Sequence, residues 1–135
     1  MKIAVVIEAD GSISQHFGRA PQYRVFTVEG GRIIATEIRE KPGHDHFIHE
    51  AHDHHHEHDS AHQRGTGPQA DDKHARMFAP IRDCETVIVG GMGYGGYQAL
   101  QRTGVRPLLT ELSDADAAVR AYLDGTLEDR TELLH

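Results

Sequence analysis

From His44 to Gly65 the chain reads HDHFIHEAHDHHHEHDSAHQRG, so nine of its twelve histidines fall in one short polar segment. A run like this cannot enter a core. Phe47 and Ile48 are its only large apolar side chains, too little buried surface to offset the entropy of ordering about twenty residues. The fold must therefore be built from what precedes and follows it. The segment itself is expected to form a mobile loop over about 43–68 within a single domain spanning 1–135.

The same segment is suited to metal. Imidazole is a borderline-soft nitrogen ligand for Zn, Ni, Cu and Fe, and these spacings converge ligands in either backbone state. On a helix His49, His52 and His56 share one face, as do His55, His58 and His62. In an extended chain His52, His54, His56 and His58 share one side. His44 and His46 complete the set, and Asp45, Glu50, Asp53, Glu57 and Asp59 add negative charge with no Lys or Arg between positions 44 and 62. The expected cargo is a divalent transition metal (Zn, Ni, Co or Fe). The competing reading is a solvated loop whose histidines only meet water. Only neutral imidazole ligates, so metal affinity should fall as pH drops below about 6.5. Metal titrations at neutral and acidic pH that gave equal affinities would contradict this.

Outside the loop, 135 residues allow one domain with a real core. A formal net charge of -7 argues against nonspecific nucleic-acid or anionic-membrane binding, both of which reward clustered Lys and Arg. No apolar run approaches the roughly 20 residues of a membrane span, and the opening MKIAVVIEADG turns acidic too early for a signal peptide. A cytoplasmic location is expected. The single cysteine, Cys84, forms no internal disulfide and cannot supply the four thiolates of a usual iron-sulfur cluster.

Lys2 to Ile7 is an apolar β-branched run ended by Asp10, Gly11 and Ser12. Tyr23 to Val28 and Ile33 to Arg39, joined by Glu29-Gly30-Gly31-Arg32, read as a hairpin. A helix is expected from about Asp71 to Ala79, with Ala75, Phe78 and Ala79 on one face and Pro80 marking its end. Thr86 to Gly90 reads as a buried central strand. Tyr97 to Thr103 reads as a helix closed by Gly104, and Val105 to Thr110 as a last strand, with Pro107 suggesting an edge. Ser113 or Asp114 caps a final helix through about Leu123, ended by Gly125. This order implies an α/β domain with a five-stranded mixed sheet, its later strands parallel and about three helices on its faces.

The stretch Gly90-Gly91-Met92-Gly93-Tyr94-Gly95-Gly96 follows a strand and precedes a helix. Its backbone can approach a ligand closely while the helix N-terminus offers N–H groups to negative charge. A tight strand-to-helix turn explains the glycines equally well. Gly91, Gly93 and Gly96 also satisfy the dinucleotide pattern GxGxxG, with Glu111 after the next strand, but that pattern normally opens a longer βαβ array than the one strand and one helix left here. Met92 offers a thioether, although a methionine beside a core strand more often packs. Cys84, just before the buried strand, reads as a small buried apolar side chain.

The N-terminal MKIAVV strand, His16-Phe17-Gly18, VIVGGMGYGG from Val87 to Gly96, LQRTGVRP from Leu100 and AYLDGTL from Ala121 stand in one order across nearly the whole chain except the His segment. Together they resemble the dinitrogenase iron-molybdenum cofactor biosynthesis family. The resemblance implies a ribonuclease-H-like three-layer fold and a non-catalytic role in binding or carrying an iron-sulfur or iron-molybdenum-type cluster. It also implies metallocluster donor or acceptor proteins as partners. By the same resemblance His16, in a turn after strand one, looks like a cluster-ligand position; the competing reading makes it a turn residue or helix-cap partner. Arg19 and Arg24, close in sequence, offer positive charge to an anionic cluster, although such arginines are more often ordinary surface residues.

Three function classes follow. The first is a cluster carrier using His16 and Gly91, Met92, Gly93, Gly95 and Gly96. The second is a divalent-metal buffer or metallochaperone built on the His segment. The third is a metal-dependent nuclease using Glu8 and Asp10, which fold analogy alone supports weakly and which lacks a basic track for its substrate. Acid-labile sulfide separates the first from the second. The sequence leaves the oligomeric state open.

Overall fold

The computed structural model describes residues 1–42 and 74–135. β1 is Lys2–Ile7, and β2 (Gln22–Glu29) and β3 (Arg32–Glu40) form the expected hairpin. Gly30 and Gly31 have φ of 58° and 77°. Two consecutive left-handed residues make the tight turn whose twist matches paired strands, and a Cβ at either position would resist it. A helical segment, α1, covers 74–78 and tightens into a 3-10 turn at Ala79–Ile81. Then come β4 (Thr86–Val89), α2 (Tyr94–Arg102), β5 (Arg106–Leu109) and α3 (Ala115–Asp124).

The sheet runs β3-β2-β1-β4-β5. β2 is antiparallel to both neighbours, whereas β1, β4 and β5 are parallel. This is the mixed five-stranded α/β sheet that the strand and helix order implied, with β5 at the edge as Pro107 suggested. β1 is central, which explains its unbroken apolar run: both faces are covered. Ala4 and Val6 pack with Met77, Phe78, Ala99 and Leu100, while Ile3, Val5 and Ile7 pack with Ala115, Ala118 and Val119. α1 and α2 therefore lie on one face of the sheet and α3 on the other.

Two expectations need correction. α2 begins at Tyr94, three residues before the expected Tyr97, so Gly95 and Gly96 lie within its first turn. Helix propensity is a weak prior, and tertiary contacts set this start: Met92 bridges Leu134, and Tyr94 N–H donates to the His135 carbonyl at 3.1 Å. On α1 the buried residues are Met77 and Phe78, whereas Ala75 and Ala79 are exposed. The cause is a long-range anchor, in which the fully buried Tyr23 hydroxyl donates to the Met77 carbonyl at 2.6 Å. Tyr23→Phe should cost about 1.5 kcal/mol, because it leaves that carbonyl without its donor. Chemical denaturation checks this, and an unchanged midpoint would show that the bond contributes nothing.

Asp114 caps α3 by accepting from the Ala117 N–H, and Gly125 closes it at φ 78°. Both follow the signals read in the sequence. β3 is fastened to the far side of the fold by Arg39, which donates to both Asp83 carboxylate oxygens at 2.8 and 3.2 Å and to the Pro80 carbonyl at 2.6 Å. The guanidinium holds the Asp83 carboxyl down to about 2.

Candidate cluster site at the ends of β1 and β4

β1 and β4 are parallel neighbours, so their carboxyl ends lie side by side. From β1 the chain leaves toward β2, on one side of the sheet, and from β4 toward β5, on the other. Such a divergence opens a crevice outside the strand ends, which is where ligands bind in α/β sheets. Two loops border it here: the segment carrying His16 and the turn Gly90–Gly96.

The first loop is fixed by its backbone. Ser14 N–H donates to the Val6 carbonyl at 2.8 Å, Gly90 N–H to the Ser14 carbonyl at 2.7 Å, and Phe17 N–H to the Gly91 carbonyl at 3.1 Å. Ser14 is fully buried. Its hydroxyl donates to Glu8 at 2.6 Å and accepts from the His16 N–H at 3.0 Å. The His16 carbonyl accepts from the Arg19 and Ala20 N–H groups at 3.0 and 3.1 Å. The peptide groups at His16 are thus satisfied while its side chain stays exposed, which leaves the imidazole to face outward.

The glycines of the second loop answer to the first. A Cβ on Gly91 would stand 2.5 Å from the Gln15 carbonyl oxygen, and one on Gly90 2.9 Å from that of Ser14. Their requirement is close backbone packing. Met92 is 1% exposed and belongs to the core cluster of Phe17 and Phe78, the packing role weighed for it in the sequence. Gly93 caps α2, its carbonyl accepting from Tyr97 N–H at 3.0 Å. Since the Tyr94 N–H is taken by His135, the N–H groups of Gly93, Gly95 and Gly96 are left without a backbone partner among the described residues. They give this helix end its remaining capacity for negative charge.

Two further histidines border the same turn. The His74 ring stacks on Phe78 at 5.8 Å, and its Nε2 stands 3.9 Å from where a Gly96 Cβ would be. His135 N–H donates to the Met92 carbonyl at 3.1 Å. Sequence reasoning missed both; only the four-residue spacing of His74 and Phe78 hinted at the first. Among the described residues no group of three or more His, Cys, Asp or Glu is arranged to hold one metal ion. The predicted ligands His44, His46, His49, His52, His54, His55, His56, His58 and His62 lie outside the described residues.

Other sequence candidates are engaged locally. Glu8 accepts from Ser14, and Asp10 accepts from the Ser12 N–H and hydroxyl at 2.9 and 2.6 Å. Glu111, the ribose-acid position of the dinucleotide pattern, pairs with Arg130 at 2.9 Å. Arg24 lies over the Phe26 ring and pairs with Asp116 at 3.4 Å. Cys84 is buried, and burial first, then the neighbouring Asp83 charge, pushes its thiol up to about 12. A thiol held protonated is a poor nucleophile and metal ligand. Native protein at pH 8 should leave Cys84 unalkylated by iodoacetamide over a time in which denatured protein reacts fully; equal rates would place the thiol at the surface.

One residue no motif singled out is Lys41, after the end of β3. It is 3% exposed, its Nζ has no hydrogen-bond partner among the described residues, and it lies 4.7 Å from the centre of the Phe17 ring. Burial draws its ammonium down to about 8.

The fold recurs among solved structures. PH0822 is 18% identical, with 98% of this chain and 99% of that one covered and a TM-score of 0.67. The apo form of the orange protein from Desulfovibrio gigas is 24% identical, with 95% and 91% covered and a TM-score of 0.59. No curated protein matches by sequence. A family model described as "Dinitrogenase iron-molybdenum cofactor" matches residues 1–125, a span that holds the motifs from MKIAVV to LQRTGVRP and the start of AYLDGTL, and the chain belongs to this dinitrogenase iron-molybdenum cofactor family.

Proposed function

We propose that this chain is a non-catalytic carrier of an anionic metal–sulfur cluster or its precursor, iron-sulfur or molybdenum-containing, which it takes from a donor protein and yields to an acceptor. The carrying observation is the exposed His16 side chain on a loop whose backbone is pinned at Ser14, Gly90 and Gly91. That loop borders the strand ends where the sheet connections diverge, and it is hydrogen-bonded to the turn that leads into α2. A fixed loop can present one nitrogen to an iron, and the N–H groups at a helix N-terminus favour negative charge. The strand order β3-β2-β1-β4-β5 with β2 reversed is the arrangement we read as ribonuclease-H-like. Family membership supports the choice of cargo. Among the described residues no helix is long and apolar enough to cross a membrane, and we take the working compartment to be the cytoplasm.

The test is anaerobic reconstitution with iron, sulfide and molybdate, followed by desalting and a visible spectrum. Wild type should retain sulfide-dependent charge-transfer absorption and His16→Ala should lose most of it. Equal retention by the two would overturn the assignment of His16.

A second reading rests on the nine histidines of 44–62: the segment binds Zn, Ni, Co or Fe, either as the principal function of a buffer or metallochaperone or as a gathering device beside the cluster site. Such binding would involve no sulfide.

A further inference from the structure

Lysine is almost never fully buried unless paired, because its flexible stem lets the ammonium reach water. Lys41 departs from that rule. Its Nζ is buried, and among the described residues it has no hydrogen-bond partner and no carboxylate forms an ion pair with it. The face of Phe17, 4.7 Å away, is its ring partner, and a ring face satisfies none of the three ammonium donors. The backbone fixes this placement: Lys41 N–H donates to the Pro21 carbonyl at 3.1 Å, which ties the end of β3 to the end of the His16 turn. Phe17 follows His16 directly and is itself held to Gly91. The unsatisfied cation thus lies against Phe17, the residue that follows His16 in the turn.

We propose that Lys41 is the fixed positive charge of the anion site on this loop, its ammonium pairing with a sulfide- or oxygen-rich metallate anion held at His16. The inference rests on the cluster-carrier reading and adds to it the residue that selects for negative charge. A buried cation without a counter-ion is costly in the free protein and becomes favourable when an anion arrives, so it discriminates charged cargo from neutral cargo. The Gly95 and Gly96 N–H groups supply partial charge to the crevice; Lys41 supplies a whole one.

The test is equilibrium dialysis of the full chain against tetrathiomolybdate, a soluble molybdenum–sulfur dianion, with thermal midpoints of the free proteins in parallel. Lys41→Met should weaken binding by about tenfold or more, and Lys41→Arg should hold it within about threefold. Free Lys41→Met should unfold no lower than wild type. If Lys41→Met binds like wild type while His16→Ala does not bind, the carrier reading stands and the role of Lys41 is overturned. A lowered midpoint with unchanged affinity also overturns it, by showing that the ammonium pairs with a carboxylate of its own chain. If wild type fails to bind the dianion, the carrier reading falls and this inference falls with it.

Discussion

Gly91→Ala is expected to destabilise the domain by about 3 kcal/mol, at the upper end of what overpacking costs. The added Cβ would meet the Gln15 carbonyl oxygen at 2.5 Å, and that obstacle is backbone, so no side-chain rotation relieves it. Gln15 lies between Ser14, which is hydrogen-bonded to Val6 and Gly90, and Phe17, which is hydrogen-bonded to Gly91. Relief therefore requires breaking part of the ladder that fixes His16. The variant should lose stability and cluster retention together. Gly18→Ala is the control on the same loop, since a Cβ there meets nothing within 4 Å. Urea unfolding of the two variants checks the prediction, and a Gly91→Ala midpoint as close to wild type as that of Gly18→Ala would show that the loop yields easily.

Lys41→Met is expected to change stability in the opposite direction, and in a pH-dependent way. The lysine ammonium titrates near 10.5 when solvated and at about 8 when buried beside Phe17, a difference worth about 3 kcal/mol. Below pH 8 both folded and unfolded chains carry the proton, so the folded protein bears the full cost of the buried charge. Between 8 and 10.5 the folded protein releases the proton first. The unfolded state then binds more protons, and wild-type stability rises with pH until the cost is gone. Free Lys41→Met should thus exceed wild type by about 3 kcal/mol at pH 7, with the gap closing as pH approaches 10.5. A gap independent of pH, or a variant less stable than wild type at pH 7, would mean that the ammonium has a counter-ion in the free protein.

The sheet was legible because its signals are local. β1 declares itself by an unbroken apolar run, the hairpin by Gly30-Gly31, and α3 by Asp114 and Gly125. The site was legible only in part. His16 and the Gly90–Gly96 turn stand out in sequence, but why Gly91 must be glycine depends on Gln15, far away in the chain. Gly95 and Gly96 looked like loop because their helical start is set by His135 and Leu134. The burial of Lys41 follows from packing against Phe17 and Pro21, which no period or motif encodes. Contacts between segments distant in sequence decided each of these points.

The central claim is that cargo with sulfide sits at the His16 loop and is separable from metal held by the histidine run. It is tested most directly by metal and acid-labile sulfide analysis, with a visible spectrum, of untagged protein purified without oxygen or a metal column. Three forms are compared: wild type, a deletion of 44–62, and His16→Ala. Iron or molybdenum with sulfide that survives the deletion and is lost in His16→Ala is the predicted result. Sulfide-free Zn, Ni or Co that disappears with the deletion would contradict it and make the histidine run the functional element.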